Sequence, residues 1–288
     1  MKNFVGRLLD KHFLKRPPNR STQILQAMEY DRVRNKIAEK TPENLALLGH
    51  KVYSQHDEDG IIAEIFTRIS NSKTFMEIGI QDGTECNSLN LLLKGWRGVW
   101  IEGDGDQVKG ISQSLGGATE IPGKLSIIHS FVDKENILKL CQTSKEFLRV
   151  EEVDFFSLDI DGNDCYILEK MLQSGFLPKV FCVEYNGRFP IGMNIKIKYN
   201  QTHIWDGSEY QGGSLQAYID IFNPYNYTLI CCNLIGINAF FVKHEYTKFF
   251  EIYEAGQLYQ PCRYFLSPMM TGHPPTLRFL RDQIEDRL

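Results

Sequence analysis

The chain has 288 residues, 42% of them apolar and 24% charged, with a net charge of −4 and a pI near 6.0. This is the composition of an ordinary globular protein built as one large domain with elaborations, and it lacks the basic excess of a general nucleic-acid binder. Its seven cysteines include no C-x-x-C pair, which excludes the usual zinc-knuckle spacing and predicts reduced, buried thiols in a cytoplasmic protein.

Residues 1–50 predict a helical extension without strand signals. "MKNFVGRLLDKHFLKRPP" has basic residues in every apolar run, so it predicts neither a signal sequence nor a membrane span. It suits a short amphipathic helix (Phe4, Leu8, Leu9, Phe13) that packs on the body or a partner, or rests weakly on a membrane surface. After Pro17-Pro18 a longer helix is predicted from Ser21, its N-cap, to Lys40, and Thr41-Pro42 opens another short one.

Residues 51–250 alternate helix and strand. The amphipathic segment Asp57–Ile69 leads in. Strands are predicted at Thr74–Ile80, Gly98–Glu102, Leu125–His129, Asp154–Ile160 and Val180–Tyr185. Helices are predicted between them at Asn87–Leu93, Gln107–Leu115, Lys134–Phe147 and Cys165–Ser174. This rhythm predicts an α/β fold, with a mostly parallel sheet covered by helices on both faces in three layers. The rhythm stops at Asn186, and residues 186–213 form a polar, aromatic insertion suited to a binding loop. A helix at Ser214–Phe222 and a hairpin of Thr228–Cys232 with Ile237–Lys243 follow. Residues 251–288 form a C-terminal extension with a charged helix near Thr276–Arg287. The sequons at Asn200 and Asn226 read as chance matches.

Ligands of an open parallel sheet bind at the carboxyl ends of its strands. The first strand ends in Glu77-Ile-Gly79-Ile-Gln-Asp82-Gly83, where glycine permits a tight bend close to a ligand. Gln81 stands where a dinucleotide fingerprint wants its second glycine, which disfavours NAD. The second strand ends in Glu102, about twenty residues on, where a carboxylate accepts ribose hydroxyls. A solvated strand-end charge is the other reading of Glu102. A ribose acid without a pyrophosphate turn suits S-adenosyl-L-methionine (SAM).

Four stretches in order, "YSQHDEDGIIAEIF", "FMEIGIQDGTECNSLNLLLKGWRGVWIEGD", "VDFFSLDIDGND" and "VFCVEYN", resemble the FkbM-like branch of SAM-dependent methyltransferases over about Tyr53–Asn186. The resemblance implies a Rossmann-like sheet of seven strands with an antiparallel strand in its last hairpin. It implies that Glu77, Gly79 and Asp82 surround the methionine part of SAM and that Glu102 holds its ribose. Asn87 and Ser88 are implied to line the same pocket, and Ser130–Asp133 to meet the adenine. Gln55 and Asp59 match an element implied to fold over the cofactor; an N-capped amphipathic helix reads the same residues as purely structural.

Asp159, Asp161 and Asp164 follow the fourth strand, and Glu184 and Asn186 the fifth. Carboxylates gathered there repel one another unless a divalent cation such as Mg2+, Mn2+ or Ca2+ relieves them. The pattern is similar to that of metal-dependent O-methyltransferases. That similarity implies Asp159, Glu184 and Asn186 as metal ligands, with Asp159 also beside the cofactor. Glu184 and Asn186 share a face if the strand continues through both. Methyl transfer to oxygen needs a base, for which Asp161 is the first candidate and Asp164 the second, ahead of His56 and His203. Turn-forming and helix-capping roles for both aspartates remain open. The resemblance implies a sugar, glycan or sugar-containing acceptor; the aromatic insertion suits stacking on a sugar face, and a partly ordered surface loop is its other reading. A non-sugar small molecule, a non-catalytic SAM-binding module and a homo-oligomer also stay open.

Overall fold

A computed structural model describes residues 20–266 and 273–285. The expected amphipathic helix through Phe13 lies outside these residues. Helix α1, Arg20–Lys40, is already helical at Arg20, so Ser21 sits inside its first turn rather than capping it. Then come a 3-10 turn at Leu45–Leu48 and α2 (Glu58–Arg68).

The α/β body runs β1 (Thr74–Ile78), α3 (Leu89–Leu93), β2 (Arg97–Glu102), α4 (Gly105–Ser114), β3 (Glu120–Ile121), β4 (Leu125–His129), α5 (Ile137–Leu148), β5 (Phe155–Leu158), α6 (Asp164–Gln173) and β6 (Val180–Glu184). After the insertion come α7 (Leu215–Phe222), β7 (Tyr227–Cys232), β8 (Asn238–Lys243), α8 (Ala255–Leu258) and α9 (Arg278–Glu285). The strands form one sheet in the order β3-β4-β2-β1-β5-β6-β8-β7. Strands β4, β2, β1, β5 and β6 are parallel, and β8 runs antiparallel to both β6 and β7.

The sheet therefore has eight strands where seven are expected. The extra one, β3, pairs antiparallel with β4 at the edge. Pro122 and Gly123, the latter at φ +69°, make the turn between them, and Lys124 N closes it on Ile121 O at 2.9 Å. That is the chemistry of a type II turn, hidden in a stretch that otherwise looks like a loop.

Strand alternation decides what covers each face. Met76, Ile78, Phe156, Leu158, Phe181 and Val183 point toward α5, α6 and α7 and join one apolar core. Phe75, Trp100, Phe155, Val180, Phe240 and Val242 point the other way, toward α2, α3 and α9. Each such fully buried side chain contributes roughly 1.5–3 kcal/mol of transfer free energy. A third, smaller cluster joins Val33 and Ile37 of α1 to Leu234, Ile235, Ile237 and Leu266.

Candidate active site

On the α2/α3 face the apolar row gives way to polar side chains at the strand ends. Register places Glu77, Ser157, Cys182 and Phe240 side by side across β1, β5, β6 and β8, and Glu184 beside Asn238. One step of two further along come Gly79 and Asp159. The polar rim is thus a consequence of period-two geometry applied to four strands at once.

Gly79 has φ +86°, and a Cβ there would fall 1.6 Å from the Asp159 carbonyl oxygen. The ends of β1 and β5 come together because glycine stands there. The bend continues through Gln81, also left-handed at φ +51°. Its N–H donates to Glu102 Oε2 at 2.7 Å, and Asp104 N donates to Glu102 Oε1 at 2.9 Å. Glu102 therefore braces the glycine bend and remains half-buried beside it.

Above the bend lies a cleft lined by Gln55, Glu77, Gly79, Asp82, Asn87, Asp159 and Asn238. Ile80, Gln81, Glu85 and Cys86 complete the wall. Burial pushes the Glu77 carboxyl up to about 7, against the hydrogen bonds it receives from Ser88 Oγ and from the N–H groups of Asn87 and Ser88. Asn87 Nδ2 is directed down onto Ser157 Oγ at 3.0 Å.

Several expected site residues are placed differently. Ser88 is fully buried, wedged between Glu77 and the Trp100 indole N–H, and is a support rather than a wall. Asp59 accepts three backbone N–H groups, from Val52, Tyr53 and Ser54, at 2.6–2.8 Å. It shapes the loop that carries Gln55 into the cleft and stays beneath it. Asp133 accepts from the N–H groups of Glu135 and Asn136 and from Gln201 Nε2, so its oxygens are committed to the start of α5 and to the insertion. Asp164, the second candidate base, accepts from Ile160 N at 2.9 Å and Gly162 N at 2.8 Å and is 1% exposed. It holds the turn after β5. Asn186 is not with the acids: Nδ2 donates to Glu209 O at 2.8 Å and Oδ1 accepts from Arg188 N. Strand β6 ends at Glu184, so the alternation that would have aligned Asn186 with Glu184 no longer applies.

Asp159, Asp161 and Glu184 do converge. Each offers a carboxylate oxygen, and these oxygens lie within 4.8 Å of one another. Glu184 Oε2 is buried without a hydrogen-bond partner. Burial, then the Asp161 and Asp164 charges, raise Asp159 well above the carboxylate range. Burial and the charge of Asp159 do the same to Glu184. Burial and Asp164 lift Asp161 to about 6, with His203 opposing. Asp161 also carries a left-handed backbone, φ +52°. Three acids in one place, short of donors, fit a hard divalent cation.

The insertion is docked over this group. Asn163 and Asn200 exchange hydrogen bonds, Nδ2 to Asn200 O at 2.8 Å and Asn200 N to Oδ1 at 3.3 Å. Tyr166 OH donates to Ile197 O, and the Lys134 ammonium sits 4.1 Å from the Tyr199 ring centroid. His203 is thereby laid over Gly162, where a Cβ would stand 2.5 Å from the imidazole Cδ2. Its Nε2 is shielded and unpartnered. Trp205 and Tyr210 on the same loop are 43% and 51% exposed, and their polar ends are tied to backbone groups of the loop.

Sequence reasoning missed Gln81, Glu85, Cys86 and Asn238 as cleft residues. Glu85 had a signal, its place just after the glycine bend. Asn238 had none, because its neighbour Glu184 is distant in the chain and their pairing is antiparallel.

No family model and no curated protein sequence matches the chain. Among solved structures it is similar to a putative caffeoyl-CoA O-methyltransferase from Staphylococcus aureus, with 16% identity and a TM-score of 0.45 over 83% of this chain and 98% of that one. It is also similar to an O-methyltransferase from Bacillus cereus in complex with S-adenosylhomocysteine (SAH), with 16% identity and a TM-score of 0.39 over 78% and 92%. The N-terminal domain of EvdMO1 with SAH bound gives 10% and 0.39 over 74% and 94%.

Proposed function

We propose that the chain transfers the methyl group of SAM to a hydroxyl oxygen of a sugar, glycan or sugar-containing intermediate, with a divalent cation (Mg2+, Mn2+ or Ca2+) beside the cofactor. The observation that carries this reading is the chemistry of the cleft wall: the acids Glu77, Asp82, Glu85 and Asp159, the four amides Gln55, Gln81, Asn87 and Asn238, and no lysine or arginine. A pyrophosphate would meet these acids there, and the cation beside the wall, Lys51, is already paired with Glu85 Oε1 at 3.0 Å. A phosphate-free nucleoside bearing a sulfonium and an ammonium meets complementary charge. The wall therefore fits SAM and not a dinucleotide. The order of the four FkbM-like motifs supports the same reading.

Bound SAM supplies an electrophilic methyl group. The chain's own residues do the rest. Gly79 brings the backbone of the bend next to the ligand, and Gln55, Asp82 and Asn87 face its aminoacyl part. Glu102, fixed by Gln81 N, presents its remaining lone pairs to ribose hydroxyls. Asp161, lifted to about 6, is a stronger base than an ordinary carboxylate and takes the acceptor's hydroxyl proton. Asp159 and Glu184 would hold the cation beside Asp161, and a bound cation would supply acidification of the acceptor hydroxyl. The insertion screens this group from water and offers the Trp205 and Tyr210 rings to a sugar face.

In this reading residues 1–50 and 251–288 are extensions to a catalytic body of residues 51–250. Among the described residues no helix is long and apolar enough to cross a membrane.

Calorimetry with SAM, SAH and NAD tests the cofactor, with binding of the first two and not the third expected. NAD binding without SAM binding would overturn the assignment. SAH release with a panel of glycosides, before and after chelation and Mn2+ add-back, tests acceptor and cation; turnover untouched by chelator would remove the cation.

A further inference from the structure

Asn238 opens β8 and is 5% exposed, yet it lines the cleft with Gln55, Glu77, Asn87 and Asp159. Its amide is oriented by its neighbours. Nδ2 donates to Glu58 Oε1 at 2.8 Å. A carboxylate oxygen only accepts, so the amide cannot turn around without losing that bond. Oδ1 is left facing the cleft and receives no hydrogen bond among the described residues.

Glu58 is itself immobilised. It is fully buried and also accepts from Asn233 Nδ2 at 2.8 Å and His56 N at 2.9 Å. Asn233 Oδ1 in turn receives the N–H groups of Gly236, Ile237 and Asn238 at 2.9–3.2 Å. Both the backbone and the side chain of Asn238 are therefore fixed before any ligand arrives, which lowers the ordering cost of binding.

We propose that Asn238 Oδ1 accepts a hydrogen bond from the ammonium of the cofactor's aminoacyl end, and that Glu58 is its positioning residue. The free group is an acceptor on the same cleft wall as Glu77 and Asp159, so it selects a cationic donor. SAM has two cationic centres. The sulfonium carries no N–H or O–H, which leaves the ammonium. Asp161 and Glu184 are not part of this wall, although Glu184 pairs with Asn238 in register and Asp159 belongs to both groups, so Asn238 stands at the cofactor wall where it meets the acid group. The proposal rests on the SAM reading and extends the cofactor site to the antiparallel hairpin.

The test is calorimetry of wild type and Asn238→Ala with two probes, SAH and 5′-methylthioadenosine. The second has the same nucleoside and thioether but no aminoacyl end. Asn238→Ala is expected to weaken SAH by about tenfold to a hundredfold. The affinity for 5′-methylthioadenosine stays unchanged. Equal weakening of both probes, or of neither, overturns the assignment. Thermal melts accompany each variant, and Asn238→Ser, which keeps a small polar side chain but cannot reach, carries the same expectation if the alanine variant does not fold. Glu58→Gln permits either amide orientation and is expected to weaken SAH by less than Asn238→Ala; an equal loss with 5′-methylthioadenosine would leave Glu58 a purely structural role. A wild type that binds no SAH removes the cofactor reading and this assignment together, whereas wild-type binding with an indifferent Asn238→Ala removes this assignment alone.

Discussion

Two acid-rich regions flank the same cleft and are built in opposite ways. Under the β7–β8 turn, Asp57, Glu58 and Asp59 are almost completely buried, and each receives at least two N–H donors, with Asp59 Oδ1 left unpartnered. Asp57 receives Leu234 N and Asn233 Nδ2, Glu58 two amides and a backbone N–H, and Asp59 three backbone N–H groups. At the rim, Asp159, Asp161 and Glu184 are packed against one another with Glu184 Oε2 unpartnered. A satisfied carboxylate is part of the scaffold. An unsatisfied one stores repulsion that only a ligand, a cation or a proton relieves. Donor supply, not acid density, separates the two regions.

The sharpest way to break this contrast is at the rim. Asp161→Asn keeps a side chain that tolerates the left-handed backbone while removing the base. SAH release is expected to fall about 10²- to 10⁴-fold, with a melting temperature equal to or above that of wild type. A parallel loss of stability would place Asp161 with the scaffold acids instead.

The scaffold should behave in reverse. Asn233→Ala removes the side-chain acceptor of Ile237 N and Asn238 N and one donor from each of two buried carboxylates, while Gly236 N keeps the Asn233 carbonyl, and is expected to cost roughly 3 kcal/mol in urea unfolding. Asp164→Ala leaves Ile160 N and Gly162 N unpaired and is expected to cost about 2 kcal/mol. A value near zero for either would mean that the network is dispensable.

Acidity gives a smaller, global readout. Asp57 and Glu77 are raised to about 7, chiefly by burial, and the rim acids are raised with them. The folded state therefore holds more protons than the unfolded chain between the ordinary carboxylate range and pH 7. Stability is fully present below that range and is lost as pH rises through about 7. His56, lowered by burial, works the other way but is one group against several. The melting temperature is expected to decline from pH 5 to pH 7.5, and a rise would contradict the assignment. The smallest effect concerns the rim alone. Mn2+ should raise the melting temperature at pH 7.5 more than at pH 5.5, because protons compete for the same oxygens. Asp161→Asn should weaken that response, and Asp164→Asn should not.

Much of the body was legible because its signals are local. The apolar runs predicted β1, β2, β4, β5 and β6 to within a few residues, since parallel strands buried on both faces must be continuously apolar. Glycine at position 79 and acid at 102 were legible as a bend and its companion, because strand ends of such sheets are where ligands bind. Donor supply was not legible. "DGND" and "QHDEDG" are equally acidic strings, and nothing in either says that Asp164 is capped by its own turn while Asp161 is exposed to its neighbours.

The residues alone determined the alternation of elements, the face each strand side chain takes and the positions where the backbone bends, because those follow from periodicity and from φ/ψ limits within a few residues. The tertiary structure alone decided which acids are neutralised by N–H groups, that Asn186 turns away while Asn238 comes in, and that His203 lies over Gly162. These outcomes depend on hydrogen bonds between segments far apart in the chain, and a one-dimensional pattern does not encode the register that brings them together.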